Sequence, residues 1–217
     1  MHLDLPKPKI LFQDHHYMAI SKPTGLYSWT TGNPKNITVG QVFPQYLLTH
    51  RLDADTSGVL LLAKTPRAAS EMAHQFEKRT VEKTYMAISA TPCEKEHFEK
   101  WQDFLIKGRK GRMKVSSDNG LTAVTEVHLI PLKLGSLLIL KPKTGRTHQL
   151  RVQSQFHGYP ILGDKIYGKK YPYKRLMLHA ASLSFFHPIE RKEVLVKDNL
   201  PEEFRKFLRN GSPPSRG

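Results

Sequence analysis

Three clusters of side chains in this 217-residue chain are suited to chemistry. The densest reads His50-Arg51-Leu52-Asp53-Ala54-Asp55-Thr56-Ser57-Gly58. Two carboxylates one residue apart, followed by two hydroxyls, admit three readings. They can form a turn whose side chains bond their own backbone. They can form a paired-carboxylate Mg²⁺ site of the kind that serves phosphoryl or glycosyl transfer. Alternatively, one carboxylate is a nucleophile. The second cluster, Lys143-Thr144-Gly145-Arg146-Thr147-His148-Gln149-Leu150-Arg151-Val152-Gln153, runs into a predicted helix. It suits either a phosphate-binding helix start or a solvated basic face. The third, Arg175-Leu176-Met177-Leu178-His179-Ala180 followed by Phe185-Phe186-His187-Pro188, reads by itself as a core strand. The eleven histidines show no tight ligand spacing, and the lone cysteine, Cys93, rules out an intrachain disulfide or a multi-thiolate metal site. No Gly-x-x-x-x-Gly-Lys-Ser/Thr loop is present, which argues against an ordinary P-loop NTPase.

These clusters need rigid elements behind them. The first precedes a continuous apolar run at 59–63, a predicted buried strand, so its polar groups fall on a loop at a sheet edge. Residues 9–12 and 17–21 predict a strand pair, broken by Lys22-Pro23-Thr24-Gly25. Thr65 as N-cap, Pro66 in the first turn, and Ala69, Met72, Ala73 and Phe76 at helical spacing predict a helix. Further strands are expected at 84–90, 121–130, 136–140, 175–186 and 193–196, with helices at 94–104 and 148–156, the latter ended by Gly158. Residues 107–114, Lys-Gly-Arg-Lys-Gly-Arg-Met-Lys, suit an exposed basic hairpin. Strands and helices do not alternate regularly, so the expected class is α+β: a mixed, mainly antiparallel central β-sheet with flanking helices and loops. One domain is expected over residues 1–209, with a disordered tail at 210–217 and a loose start over the first eight residues.

The net charge is +15. Such an excess adds self-repulsion and contributes nothing to a fold, so it points to a polyanionic partner. The basic residues are spread along the chain instead of forming one juxtamembrane cluster, which favours nucleic acid over a membrane surface. No apolar run approaches the roughly 20 residues of a membrane span, and the first 15 residues lack a signal-like apolar stretch. With a single cysteine, a reducing, cytoplasmic setting is expected.

The segment HRLDADTSGVLLL, residues 50–62, resembles the catalytic signature of the RluA family of pseudouridine synthases. Other segments agree, in that family's order. AISKPTG at 19–25 resembles its first motif, and KTYMA at 83–87 the strand with its active-site tyrosine. TGRTHQLRVQ at 144–153 resembles the segment with its active-site arginine, and YPILGDKIYG at 159–168 and RLMLHA at 175–180 match the segments beyond. The resemblance spans roughly residues 10 to 190. It implies the pseudouridine synthase catalytic fold and the isomerisation of specific uridines in structured rRNA or tRNA, with base flipping and without cofactor or metal. By the same resemblance Asp53 is the catalytic carboxylate, Arg151 the guanidinium that steadies it, and Tyr85 the aromatic against the uracil. Arg51 would brace the space left by the flipped base, Lys22 and Leu178 would meet substrate, and Arg109, Lys110 and Arg112 of the basic hairpin would hold RNA. The first motif begins near residue 10, which leaves no room for an S4 domain and implies a short, catalytic-domain-only monomer.

Overall fold

Seven consecutive residues, Ser57–Ala63, are all buried, so this strand has protein on both faces, as its unbroken apolar run requires. A computed structural model describes residues 8–30, 32–168 and 173–210, the side chains of Lys110 and Asn210 excepted. Of the loose termini expected at residues 1–8 and 210–217, residues 1–7 and 211–217 lie outside the described residues, while Asn210 ends a helix instead of opening the tail. The chain divides into two compact units, Met1–Val81 with Ser182–Asp198, and Glu82–Ala181 with Asn199–Gly217. The sequence reading expects one domain because it finds no Pro/Gly/Ser linker. The chain passes between units three times, at the start of one strand, in the middle of another and in the short segment before the last helix, where composition carries no boundary signal.

In the first unit, β1 (Lys9–Gln13) and β2 (Tyr17–Lys22) form the expected antiparallel pair. β2 also pairs with β4 (Ser57–Ala63), from Tyr17 opposite Ala63 to Lys22 opposite Gly58. The short β3 (Leu47–Leu48) pairs with β4, and α1 (Val39–Val42) precedes it with a capping box between Thr38 and Gln41. The helix expected after β4 is α2 (Pro66–Glu77). The Thr65 hydroxyl accepts the Ala68 N–H at 3.1 Å, while Ala68 and Met72 pack into a core with Tyr17, Leu61 and Phe185. Asp14 clamps the β1–β2 turn by accepting the N–H groups of His16 and Tyr17 at 2.7 and 2.6 Å. Its other oxygen accepts from Nε2 of fully buried His187 at 3.0 Å. Nδ1 of that ring accepts the Glu190 N–H at 3.0 Å. Asp14, His187 and Glu190 lie close enough to share an ion, yet both imidazole nitrogens already serve the clamp.

The second unit is built on an antiparallel path of five strands: β5 (Glu82–Ser89), β9 (Gly135–Pro142), β8 (Leu121–Leu132), β6 (His97–Lys107) and β7 (Met113–Ser116). β6 replaces the helix expected at 94–104. The Glu/Lys-rich composition favours a helix, but burial alternates, with Trp101, Asp103 and Leu105 inward and Phe98, Lys100, Gln102 and Phe104 outward. Pairing with β8 along nine residues overrides local propensity. The β6–β7 connection is the expected hairpin, closed by a single 3₁₀ turn at Arg109–Gly111, with Lys107, Arg109, Arg112 and Lys114 exposed. α3 (Gln149–Phe156) follows the second cluster. α4 (Glu202–Asn210), where the sequence reading assigns no element, buries Phe204 and Phe207 in a core with Trp101, Leu138 and Leu178. β10 (Leu178–His187) spans both units, and its later residues pair with β11 (Lys192–Lys197). The fold is therefore the expected α+β class with a mostly antiparallel sheet. No helix among the described residues is long and apolar enough to cross a membrane.

Candidate active site

The first unit carries Lys22, Arg51 and Asp53. The loop before β4 is tied down through backbone groups at several points. The Ser28 hydroxyl donates to the Leu52 carbonyl at 2.8 Å and accepts the Leu52 N–H at 3.0 Å. The Thr56 N–H closes a tight turn on the Asp53 carbonyl at 3.0 Å. The Ala54 carbonyl accepts from the Gly25 N–H at 2.9 Å, and Gly25 reaches it with φ of 84°, where a side chain would be strained. At the loop's entrance, His50 Nε2 accepts the Leu61 N–H at 3.0 Å, and its ring stacks on Phe76 at 4.9 Å. The result is a fixed loop with Asp53 half-buried and Arg51 and Asp55 exposed.

Beneath the loop lies Lys22, with no solvent exposure. Its ammonium donates to the carbonyls of Leu26 at 2.8 Å, and of Pro23 and Ala54 at 3.0 Å each. This corrects the expectation that Lys22 meets substrate. A fully buried ammonium shared among three carbonyls is a strut that joins the turn after β2 to the Asp53 loop.

The second unit carries Tyr85, Arg151, Leu178 and the basic hairpin. Tyr85 sits on β5 opposite Leu140, half-buried against the core, and Leu178 is itself a core residue at the start of β10. Arg151 projects from α3 and is 3% exposed, so the second cluster is not a solvated basic face. Its Nε and Nη2 donate to the two oxygens of Asp164 at 2.7 and 2.9 Å, a bidentate pair. Burial pushes the Asp164 carboxyl up, but the Arg151 hydrogen bonds and charge, with the N–H groups of Tyr167 and Ile166, hold it below the ordinary aspartate value. The guanidinium also lies over the Tyr167 ring, 5.6 Å from its centre.

α3 is itself anchored by buried polar side chains. Gln149 accepts from the Thr144 hydroxyl at 2.7 Å and the Arg146 N–H at 3.0 Å, and donates to the Thr125 hydroxyl at 3.0 Å. Thr125 donates to Gln153 at 2.7 Å, Gln153 donates to Asp103 at 2.6 Å, and His157 lies 3.0 Å from the same Asp103 oxygen. Each amide is satisfied by β6, β8 or the preceding loop, so the rotation of α3, and with it the direction of Arg151, is set.

Sequence reasoning missed Asp164, although the segment that holds it had been singled out. The available signal was the Gly163-Asp164 pair. A Cβ on Gly163, at φ of 76°, would stand 1.9 Å from the Arg175 carbonyl oxygen, so only glycine allows the close approach that buries the next residue.

Residues 16–156 match the model of the RNA pseudouridylate synthase family. The chain is 32% identical to ribosomal large subunit pseudouridine synthase D of Zymomonas mobilis, over 95% of this chain and 73% of that one. It is 34% identical to the dual-specificity RNA pseudouridine synthase RluA of Vibrio vulnificus, over 84% and 79%. Among solved structures, human RNA pseudouridylate synthase domain containing 4 superposes with a TM-score of 0.73 at 28% identity, over 92% of this chain and 91% of that one. The fold and the sequence together define a pseudouridine synthase. The chain belongs to the RNA pseudouridylate synthase family and is an isomerase acting on RNA.

Proposed function

We propose that this protein converts specific uridines of structured ribosomal or transfer RNA to pseudouridine, without cofactor or metal, with Asp53 as the catalytic carboxylate. In this isomerisation the N1–C1′ bond breaks and a C5–C1′ bond forms. The proton on C5 is lost and N1 gains one, so nothing is oxidised, hydrolysed or phosphorylated. The chemistry calls for an ionised carboxylate at an anomeric carbon, the task carboxylates perform in glycoside hydrolysis. The observation that carries the reading is the Asp53 loop, whose backbone is bonded on both sides while Asp53 itself is half-buried. Such a held group loses little freedom when a nucleotide arrives.

Tyr85 is proposed to lie against the uracil and to assist removal of the C5 proton. Arg151, already directed by Asp164, would supply a fixed positive charge to the reaction. Exposed Arg51 would brace the stack from which the target nucleotide is flipped. The exposed cations of the hairpin, Lys107, Arg109, Arg112 and Lys114, would contribute phosphate contacts. Relatives named for the ribosomal large subunit support an rRNA substrate.

The test is Asp53→Asn, read as pseudouridine mapped in RNA treated with either protein. The variant should fold, bind RNA with near wild-type affinity and form no pseudouridine. Activity within about tenfold of wild type, a barrier change of only ~1.4 kcal/mol, would sink the assignment. Wild-type turnover should survive excess EDTA on a minimal stem-loop that folds without divalent ions.

A further inference from the structure

Tyr167 lies three residues beyond Asp164 and has no part in the chemistry described, yet its side chain stands at a junction. Its hydroxyl accepts the backbone N–H of Met113 at 2.9 Å, the residue with which β7 leaves the basic hairpin. The same oxygen lies 3.0 Å from Nδ1 of His148. His148 opens α3 at φ 53° and ψ 18°, a left-handed conformation that the surrounding contacts must maintain. The Tyr167 ring lies beneath the Arg151 guanidinium and packs with Met113 and Val115 against Leu105, Ala123 and Val152. Its backbone N–H donates to Asp164 Oδ1 at 3.0 Å, the oxygen that also receives Arg151 Nη2.

One side chain thus touches the root of the hairpin, the strained entry to α3 and the guanidinium at that helix's centre. The hairpin needs such a tether. β7 has only four residues, and a two-stranded arm projecting from a sheet is weakly determined by its own pairing. We infer that Tyr167 is a positioning residue that couples the basic hairpin to Arg151, so that RNA held at 107–114 and the guanidinium stay in register. The inference rests on the proposed RNA-modifying function. The hydroxyl bonds the hairpin root and the entry to α3, while the ring alone lies under the Arg151 guanidinium.

Tyr167→Phe keeps the ring and removes both hydroxyl contacts, while Tyr167→Leu removes the ring as well. The probe is an unmodified transcript of large-subunit rRNA, used for single-turnover pseudouridine formation and for equilibrium binding. Tyr167→Phe should raise the half-saturating RNA concentration about five-fold, roughly the worth of one net hydrogen bond, with little change in the saturated rate. Tyr167→Leu should lower the saturated rate as well. The deciding measurement combines Tyr167→Phe with replacement of Arg109, Lys110 and Arg112 by Ser. If the hydroxyl acts through the hairpin, it adds no further binding loss once the hairpin is neutralised. Penalties that simply multiply would overturn the coupling, as would an effect of Tyr167→Phe confined to the saturated rate. Absence of pseudouridine from wild type on every RNA tried would refute the proposed function instead. The binding cycle needs no turnover and still decides the coupling.

Discussion

The Asp53 loop and the Arg151 helix hold their functional groups by opposite means. In the first unit, the loop is fixed by bonds to its own backbone: the Lys22 ammonium, the Ser28 hydroxyl and the Gly25 N–H all meet main-chain groups within residues 52–54 or the turn beside them. Asp53 itself is half-buried. In the second unit, Arg151 is buried and is directed by another side chain, Asp164, while α3 is anchored by the Gln149, Thr125, Gln153 and Asp103 series. Bonds to the backbone on both sides fix where the Asp53 side chain starts. A group that must only present a charge can have its hydrogen-bonding capacity committed in advance.

This contrast can be broken by substitution. The largest stability loss is expected for Asp164→Asn, which leaves a buried guanidinium without its carboxylate and should cost about 3–5 kcal/mol in urea unfolding. A loss under about 1 kcal/mol would mean that Arg151 does not depend on this pair. Lys22→Met comes next. Three carbonyls lose a charged donor, and a loss of about 2–3 kcal/mol is expected, with the rate of pseudouridine formation falling further than RNA affinity. Equal falls in both would show that Lys22 does not act through the Asp53 loop.

Acid should sharpen the comparison by a smaller amount. The folded-state value of Asp164 lies below its unfolded value, so its contribution is complete above about pH 4 and is lost as pH falls through the folded value. The stability gap between wild type and Asp164→Asn should therefore narrow below about pH 4. Asp14 titrates in the same direction, because the N–H groups of Tyr17 and His16 and the hydrogen bond from His187 outweigh its burial. That contribution is common to both proteins and cancels in the difference. A gap that stays constant down to the point of unfolding would contradict the assigned direction. Replacing Arg109, Lys110 and Arg112 with Ser should leave unfolding unchanged within about 0.5 kcal/mol. It should flatten the salt dependence of RNA binding by roughly one to three units of slope. An unaltered slope would place the phosphate-binding surface elsewhere.

Local pattern is enough to read several elements and to mark the His50–Gly58 cluster as a loop before a strand, while the role of Asp53 comes only from the family resemblance. The apolar run that became β4, the Thr65–Pro66 start of α2, the β1–β2 pair and the glycine-punctuated hairpin each arise from neighbouring residues. The Asp53 loop is legible as a polar stretch before a buried strand, but the groups that hold it, Lys22, Gly25 and Ser28, come 24 to 32 residues earlier in the chain. The segment 94–104 reads as a helix because its Glu and Lys residues favour one in isolation, and only pairing with β8 residues 18 to 32 positions later selects the strand. The buried ammonium of Lys22 was beyond reach on the same grounds, since one of its three acceptors lies 32 residues away.

By itself, the sequence determined the residue types needed for the chemistry, the cationic surplus that suits RNA and the elements whose periodicity is local. Tertiary structure decided which charges are buried and what each one serves. Desolvation is a property of the packed chain, and it turns Lys22 from an expected substrate contact into a strut. Packing likewise brings Asp164, thirteen residues away in sequence, onto Arg151, and sets Tyr167 between that guanidinium and the hairpin root.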